Sequence, residues 1–542
     1  LVLIIGIGIF FRFYRLTEVP PPLSHDETAI GYNAYSILKT GKDEYGTSYP
    51  LLFRSFDDYK LPGMVYSTVI PVWIFGLNEL SVRLPSAIYG VLAIIVFYFI
   101  CREFLSQTPV YKKTDTYLLS VLMTGFFSLS LWHINFSRQC FESNGAVFFL
   151  MLATLFLIRF PARPKSLIMA AVFYAVSIYF YYSVRLIIPF ILLAFLISKW
   201  RDIRVNRGSA IISVLCGIIT IAPMIPSLIS PGGFERIRMV SVTNDPVYLR
   251  MAEGFSRKTA ENNSPINRLI YNRRAALILT VLDNYRKNIS YDQLFTKGAG
   301  RTGLLHKFEF PLLIVGLFVL FRIKSPLKWI LAAWLLSSPL PGAFSVNQPN
   351  ALRTLPGAPI FAFISGLGFI SIYNLFKSKT AVIAQIIMIL VLYLISLTQF
   401  FDSYFNKFPT DNPLGFADGQ KQMVSYVQSE RSNYRKIIIS GYYWRPYIFT
   451  LFWLKYDPQA YQSAGKISGF DKFVFGRSGW DTNGILFFDP GTDIVNLSED
   501  PDNTLYILAP ADYDAHKSQF RIIKGINGMY AKSAFYAARA LN

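Results

Sequence analysis

Apolar runs longer than a soluble core uses constrain this chain more than any other feature. They fall at about residues 1–14, 84–101, 117–134, 145–160, 165–182, 184–199, 209–230, 308–322, 327–338, 354–376 and 380–400. A helix that crosses a bilayer needs roughly 17–25 predominantly apolar residues, so the pattern predicts a mainly α membrane protein with about 11 crossing helices. Charged residues make up 16% of the chain, against about 25% in an ordinary soluble domain. Eleven apolar residues precede Arg12, so the chain is expected to start inside its first span. A signal peptide is the rival reading, but no small-residue cleavage site stands before Arg12.

A net charge of +20 would suit a nucleic-acid partner, but the placement of the charges argues against one. With the first N-terminus on the cytoplasmic side, one set of alternate loops carries Arg102, Lys112, Lys113, Arg159, Arg163, Lys165, Lys199, Arg201, Arg204, Arg207, Arg322, Lys324, Lys328, Lys377 and Lys379. The short opposite loops carry Arg138, Arg185 and Arg353. This is the positive-inside bias of a multi-pass protein, and no nucleic acid is expected. Cys101, Cys140 and Cys216 lie in or beside apolar runs, without metal-ligand spacing or a disulfide framework.

Residues 62–77 are apolar too, but counting them as a span would move every later basic loop outside. They are therefore expected to form a re-entrant or interfacial helix broken at Pro71. The expected organisation is a transmembrane domain, 1–401, with a first external loop at 15–83 and a polar external loop at 231–307. An extracytoplasmic domain, 402–542, follows. In it, short runs such as Lys436–Ser440, Ile485–Phe488 and Thr504–Leu508 alternate with helical patterns at 417–430 and 446–455, which suggests a small α/β fold. It contains no glycine-rich nucleotide-binding motif.

The first candidate site is Ser24-His25-Asp26-Glu27-Thr28, because carboxylates beside a membrane are costly unless they serve a purpose. Ser24 and Glu27 also fit a capping box at the start of a helix. Asp26 would then lie in the first helical turn, where the helix dipole favours the ionised form that a general base requires. The second candidate is Asp57-Asp58-Tyr59-Lys60, with Tyr66 beyond. Lys60 suits a lipid phosphate, or a salt bridge to its acidic neighbours. Arg138, Arg185 and Arg353 stand against the charge bias at the outer ends of spans. Arginine suits bidentate phosphate contact, so with Lys60 they outline a site for an anionic lipid head.

These residues also resemble a known family. The run from Pro22 to Tyr35 resembles the first-loop Asp-Glu motif of GT-C type glycosyltransferases of the protein O-mannosyltransferase and lipid A aminoarabinose transferase kind. Lys60-Leu61-Pro62 with Tyr66 resembles their K-P-P…Y segment, with Leu61 in place of the first proline. The stretch Gly76–Ser86, with Glu79, Arg83 and Pro85, resembles the motif that opens their second span. Trp334–Pro359, with Asn350–Pro356, is similar to their late external loop. The likeness covers about residues 1–400 and rests on the order of several motifs.

The resemblance implies a polyprenyl-phosphate-linked sugar as donor and a lipid, glycan or protein hydroxyl as acceptor, met on the extracytoplasmic face of a membrane, with a prokaryotic plasma membrane as the expected location. It implies Asp26 as base, Glu27 as its neighbour in the site, and Lys60 and Arg353 as donor-phosphate ligands. Arg138 and Arg185 join that group from charge placement, while Asp58, Tyr66 and His25 are further candidates. Family members differ in metal use, which leaves a divalent metal open; the sequence has no His/Cys cluster, and no cofactor is assigned. One base and several cations suffice, because a lipid phosphate leaves readily and a single attack inverts the anomeric centre. A glycan polymerase or ligase would lack the early Asp-Glu loop. A lipid-linked glycan transporter would show mid-span charges and repeated halves.

Overall fold

A computed structural model describes the chain except residues 57, 109–112, 299–301, 377, 412, 415–416, 444, 465–467, 477–478, 481–485, 488–499 and 542. Asp57, Lys112, Lys377 and the ends of the expected strand Ile485–Phe488 lie outside the described residues. The chain forms two compact units.

The first unit comprises Leu1–Tyr14, Phe56–Gly63 and Ser86–Phe401. Every apolar run read from the sequence is helical, because a backbone in an apolar medium must satisfy its polar groups within the segment. Among the described residues, four helical stretches are long and apolar enough to cross a bilayer: Glu79–Ser106, Arg207–Leu228, Leu355–Tyr373 and Lys379–Asp411. A fifth arises if the pair Thr116–Ser128 and Leu131–Ser137, bent by 59°, counts as one span. Shorter apolar helices include Val2–Phe13, Glu142–Ile158 and Ser166–Ile178. The chain is thus an integral membrane protein by its apolar helices. The apolar window of Leu355–Tyr373 is 83% buried, whereas that of Arg207–Leu228 is 11% buried. The first fills the bundle centre and the second turns its side chains outward, as a lipid-facing helix does.

Small residues set the tightest helix contact. A Cβ built on Gly368 would run into the Leu312 carbonyl oxygen, and one on Gly316 into the Ile364 carbonyl. The helices Glu309–Arg322 and Ala358–Tyr373 therefore meet backbone to backbone, the close approach that glycine permits in apolar bundles.

Three sequence expectations need correction. The run 117–134 is two helices, Lys113–Ser128 and Leu131–Ser137, because Ser130 caps the second by accepting the His133 amide. The run 62–77 forms one helix, Pro62–Phe75, that continues through Pro71 instead of breaking there. Apolar helices tolerate an interior proline where neighbouring groups take up the freed carbonyl. The segment 231–307 is largely helical, with helices at Pro231–Val240, Pro246–Glu261, Pro265–Ile270 and Arg273–Asn288. Their N-caps are Ser230, Asp245, Ser264 and Asn272, and each side chain accepts a backbone amide of the first turn. The first three are followed by proline at the first helical position. Ser-Pro, Asp-Pro and Ser-Pro are thus helix starts, a signal present in the sequence.

The second unit comprises Arg15–Ser55, Met64–Pro85 and Asp402–Asn542. Helix His25–Thr40 is buried along most of its length and packs on helices Pro446–Trp453 and Pro458–Ala464, with Gly31 against the Phe452 ring. The tail forms a six-stranded sheet in the order 469–470, 473–475, 436–439, 504–508, 535–540, 520–526. Strand Lys436–Ile439 is parallel to both neighbours, and Phe535–Ala540 is antiparallel to both of its own. Helix Gln420–Glu430 is preceded by Asp418, whose carboxylate accepts the amides of Met529, Tyr530 and Ala531 at 2.8, 2.7 and 2.7 Å. The tail is a mixed α/β fold.

Candidate functional site

The Asp-Glu pair starts helix His25–Thr40, and its two carboxylates have different surroundings. Ser24 accepts the Glu27 amide at 3.3 Å, and Glu27 Oε2 accepts the Ser24 amide at 3.0 Å, which completes the capping box. Glu27 is also 1% exposed and receives Arg83, Nε to Oε1 at 3.0 Å and Nη2 to Oε2 at 3.3 Å. Arg83 Nη1 donates further to the carbonyls of Leu16 and Pro20, both at 2.9 Å. Glu27 and Arg83 thus hold the chain ahead of the helix in place. The Asp26 carboxylate is part-exposed, with Oδ1 3.7 Å from Nε2 of His25. Tyr66 donates to the Pro50 carbonyl at 3.0 Å.

In the first unit, a cavity of about 410 Å³ gathers three arginines. Arg185 comes from the start of helix Val184–Val205, Arg236 from helix Pro231–Val240, and Arg353 from the loop ahead of the 358–373 helix. Arg185 stacks over the Tyr182 ring at 4.4 Å, and its buried Nε and Nη2 have no hydrogen-bond partner among the described residues. Arg353 donates to the Val346 carbonyl at 2.7 Å. Its pKa is held below the ordinary arginine value by burial. Arg236 pairs with Asp58. The rest of the lining is mostly apolar, including Leu186, Ile237, Val240, Leu277 and Phe344, with the hydroxyls of Ser241, Thr243 and Ser345 among them. Guanidiniums over an apolar wall fit a molecule with an anionic head and a hydrocarbon body.

The structure brings Arg185 and Arg353 together and adds Arg236, with Asp58 attached to it. Arg236 escapes a sequence rule based on isolated arginines in short loops, because it lies in the long polar segment 231–307. Lys60 lies outside the cavity wall, buried, with Nζ 3.7 Å from Glu142 Oε1. Arg138 is elsewhere. It is fully buried and donates to the carbonyls of Phe11 and Tyr14 at 2.7 Å, where helix Val2–Phe13 ends. Its placement is that of a helix C-terminal clamp. Among the described residues no group of three or more His, Cys, Asp or Glu side chains is placed to hold a metal ion.

Comparison with known proteins gives the fold. The chain has the fold of GT-C type glycosyltransferases, and residues 62–227 match the model of the family described as dolichyl-phosphate-mannose-protein mannosyltransferase. One solved structure that it resembles is ArnT from Cupriavidus metallidurans, bound to undecaprenyl phosphate: 11% identity, 99% of this chain and 97% of that chain covered, TM-score 0.55. The apo state of the same protein gives 10% identity, the same coverage and a TM-score of 0.55. Archaeal oligosaccharyltransferase AglB from Archaeoglobus fulgidus, in complex with an inhibitory peptide and a dolichol-phosphate, is 12% identical. That match covers 83% of this chain and 63% of that chain, with a TM-score of 0.45. No curated protein matches the chain in sequence.

Proposed function

We propose that the chain is a membrane glycosyltransferase that moves a sugar from a polyprenyl-phosphate donor to a hydroxyl of a lipid, glycan or protein acceptor on the extracytoplasmic face. The observation that carries this is the convergence of Arg185, Arg236 and Arg353 on an apolar-walled cavity in a chain of this fold. The undecaprenyl phosphate bound to ArnT, and the mannosyltransferase family matched over 62–227, support a lipid-phosphate donor. The arginines would hold the donor phosphate and stabilise the charge it gains as the bond from the anomeric carbon to phosphate oxygen breaks. Asp26 would take the proton of the attacking hydroxyl, and attack opposite the leaving phosphate inverts the anomeric carbon. Glu27 and Arg83 fix the helix start that carries Asp26.

The test is sugar transfer by the purified full-length protein in lipid nanodiscs, with a polyprenyl-phosphate sugar as donor. Asp26→Asn is expected to lower turnover by about 10²–10⁴-fold, the usual contribution of a general base, while donor affinity stays near wild type. Near-full transfer by Asp26→Asn would overturn the base assignment.

A further inference from the structure

We propose that residues 265–289 form a membrane-surface element, resting in the headgroup layer of the bilayer and held there by anionic phospholipid. Helix Arg273–Asn288 is turned inside out relative to a soluble amphipathic helix. Its buried face is Ala276, Thr280, Asn284 and Asn288. These polar residues bond into the protein: Asn284 Nδ2 to the Ala343 carbonyl at 3.4 Å, Asn288 Nδ2 to Gln348 Oε1 at 2.8 Å, and the Asn350 amide to Asn288 Oδ1 at 3.1 Å. Its outward face holds Ile278 and Leu282, each 59% exposed. The preceding helix Pro265–Ile270 presents Ile266, Leu269 and Ile270, with Leu269 at 78%. A soluble surface scatters such side chains singly; five of them, Ile266, Leu269, Ile270, Ile278 and Leu282, exposed within 17 residues belong against hydrocarbon.

Charge identifies the covering as lipid. Residues 265–289 contain Arg268, Arg273, Arg274, Arg286 and Lys287 against one acid, Asp283. Arg274, Ile278, Leu282 and Arg286 recur every fourth residue, so one stripe runs arginine, isoleucine, leucine, arginine. Apolar side chains in the middle and guanidiniums at both ends match acyl chains below and phosphates beside them. The segment is also tethered at both sides by apolar helices, Arg207–Leu228 before it and Glu309–Arg322 after it. Apolar immersion of this kind reaches about 5–10 Å below the headgroups, and basic residues near the surface strengthen it where the lipid is anionic. Leu277 on the same helix lines the arginine cavity, so the element forms part of that cavity's rim.

The experiment uses full-length protein in nanodiscs, in a Cys216→Ser background, with a nitroxide label placed by Leu269→Cys, Leu282→Cys or, as an aqueous reference in the tail, Ser429→Cys. Collision with oxygen, which concentrates in lipid, is compared with collision with a water-soluble nickel chelate. At 269 and 282 the oxygen-to-nickel ratio is expected to exceed that at 429 several-fold. It should rise further when phosphatidylglycerol replaces part of the phosphatidylcholine. The combined variant Arg268→Gln, Arg274→Gln, Arg286→Gln should abolish that rise while binding a label equally well. Nickel access at 269 and 282 equal to that at 429 overturns the proposal. So does shielding from both reagents, which would mean protein covers the face. Immersion equal in zwitterionic and anionic discs overturns the role of anionic lipid. None of these readouts depends on sugar transfer, so they fail independently of the proposed activity.

Discussion

Arg83 donates to both carboxylate oxygens of Glu27 in a place where each residue is at most 1% exposed. The guanidinium also takes the Leu16 and Pro20 carbonyls, so one side chain closes the turn that leads into helix His25–Thr40. The two residues are 56 positions apart, and each compensates the other's burial.

Removing one partner therefore leaves a buried charge without compensation, which costs about 3–5 kcal/mol. Arg83→Leu is expected to lower the thermal midpoint of the purified protein sharply, and Arg83→Leu with Glu27→Leu to recover part of the loss. A double variant no more stable than Arg83→Leu alone would show that the pair is not what the single substitution disturbs. Both proteins should also lose transfer activity, since the start of the helix bearing Asp26 is then less firmly held.

The cavity arginines make a contrasting prediction. A hydrogen bond to a charged group is worth about 1.5–3 kcal/mol, or roughly 10- to 100-fold in affinity. Arg185→Ala and Arg353→Ala should each weaken donor binding by that factor, with a shallower dependence on salt. Arg138→Ala should lower thermal stability without a selective effect on the donor, because its partners are backbone carbonyls at a helix end. Donor titration by calorimetry in nanodiscs separates the two outcomes. Unchanged affinity in both Arg185→Ala and Arg353→Ala would sink the phosphate site.

Local sequence rules made some of this legible and distance hid the rest. The helices could be read because each apolar run satisfies its backbone within itself, and the Ser24–Glu27 cap because its partners are three residues apart. Arg83 and Glu27 meet through the fold, which no local spacing encodes. Arg236 lies in 231–307, whose polarity reads as loop, although Ser230-Pro231, Asp245-Pro246 and Ser264-Pro265 are helix starts. In the tail, Thr504–Leu508 is buried at every position and reads as a central strand. Phe520–Ile526 is exposed along its middle and Phe535–Ala540 is rich in alanine, so neither has the continuous apolar pattern of a central strand.

Glycine contact between helices Glu309–Arg322 and Ala358–Tyr373 should be intolerant of even one methyl group. Gly368→Ala would place a Cβ against a backbone carbonyl, which cannot swing aside as a side chain can. Overpacking of this kind costs about 1–3 kcal/mol. Thermal unfolding should register the loss for Gly368→Ala and for Gly316→Ala, whereas Gly254→Ala, on an exposed helix with no atom nearby, should be neutral or stabilising. Equal effects at all three positions would remove the packing explanation.

Glu44 supplies a prediction about pH. It lies in the loop after helix His25–Thr40, is 1% exposed, and has an oxygen without a hydrogen-bond partner among the described residues. Burial pushes its carboxyl up to about 8; Asn33 pulls it down through a hydrogen bond at 3.4 Å, while the Asp43 charge raises it and Arg54 lowers it. The folded protein therefore holds a proton that the unfolded chain, with an ordinary value near 4.5, releases. Its stabilising contribution is full below about 4.5 and is lost progressively as pH rises toward about 8, by at most about 1.4 kcal/mol per pH unit. Glu44→Gln removes the titration, so its thermal midpoint relative to wild type should climb between pH 5 and 8 and level off above. Parallel pH profiles for the two proteins would show that Glu44 is not protonated in the fold.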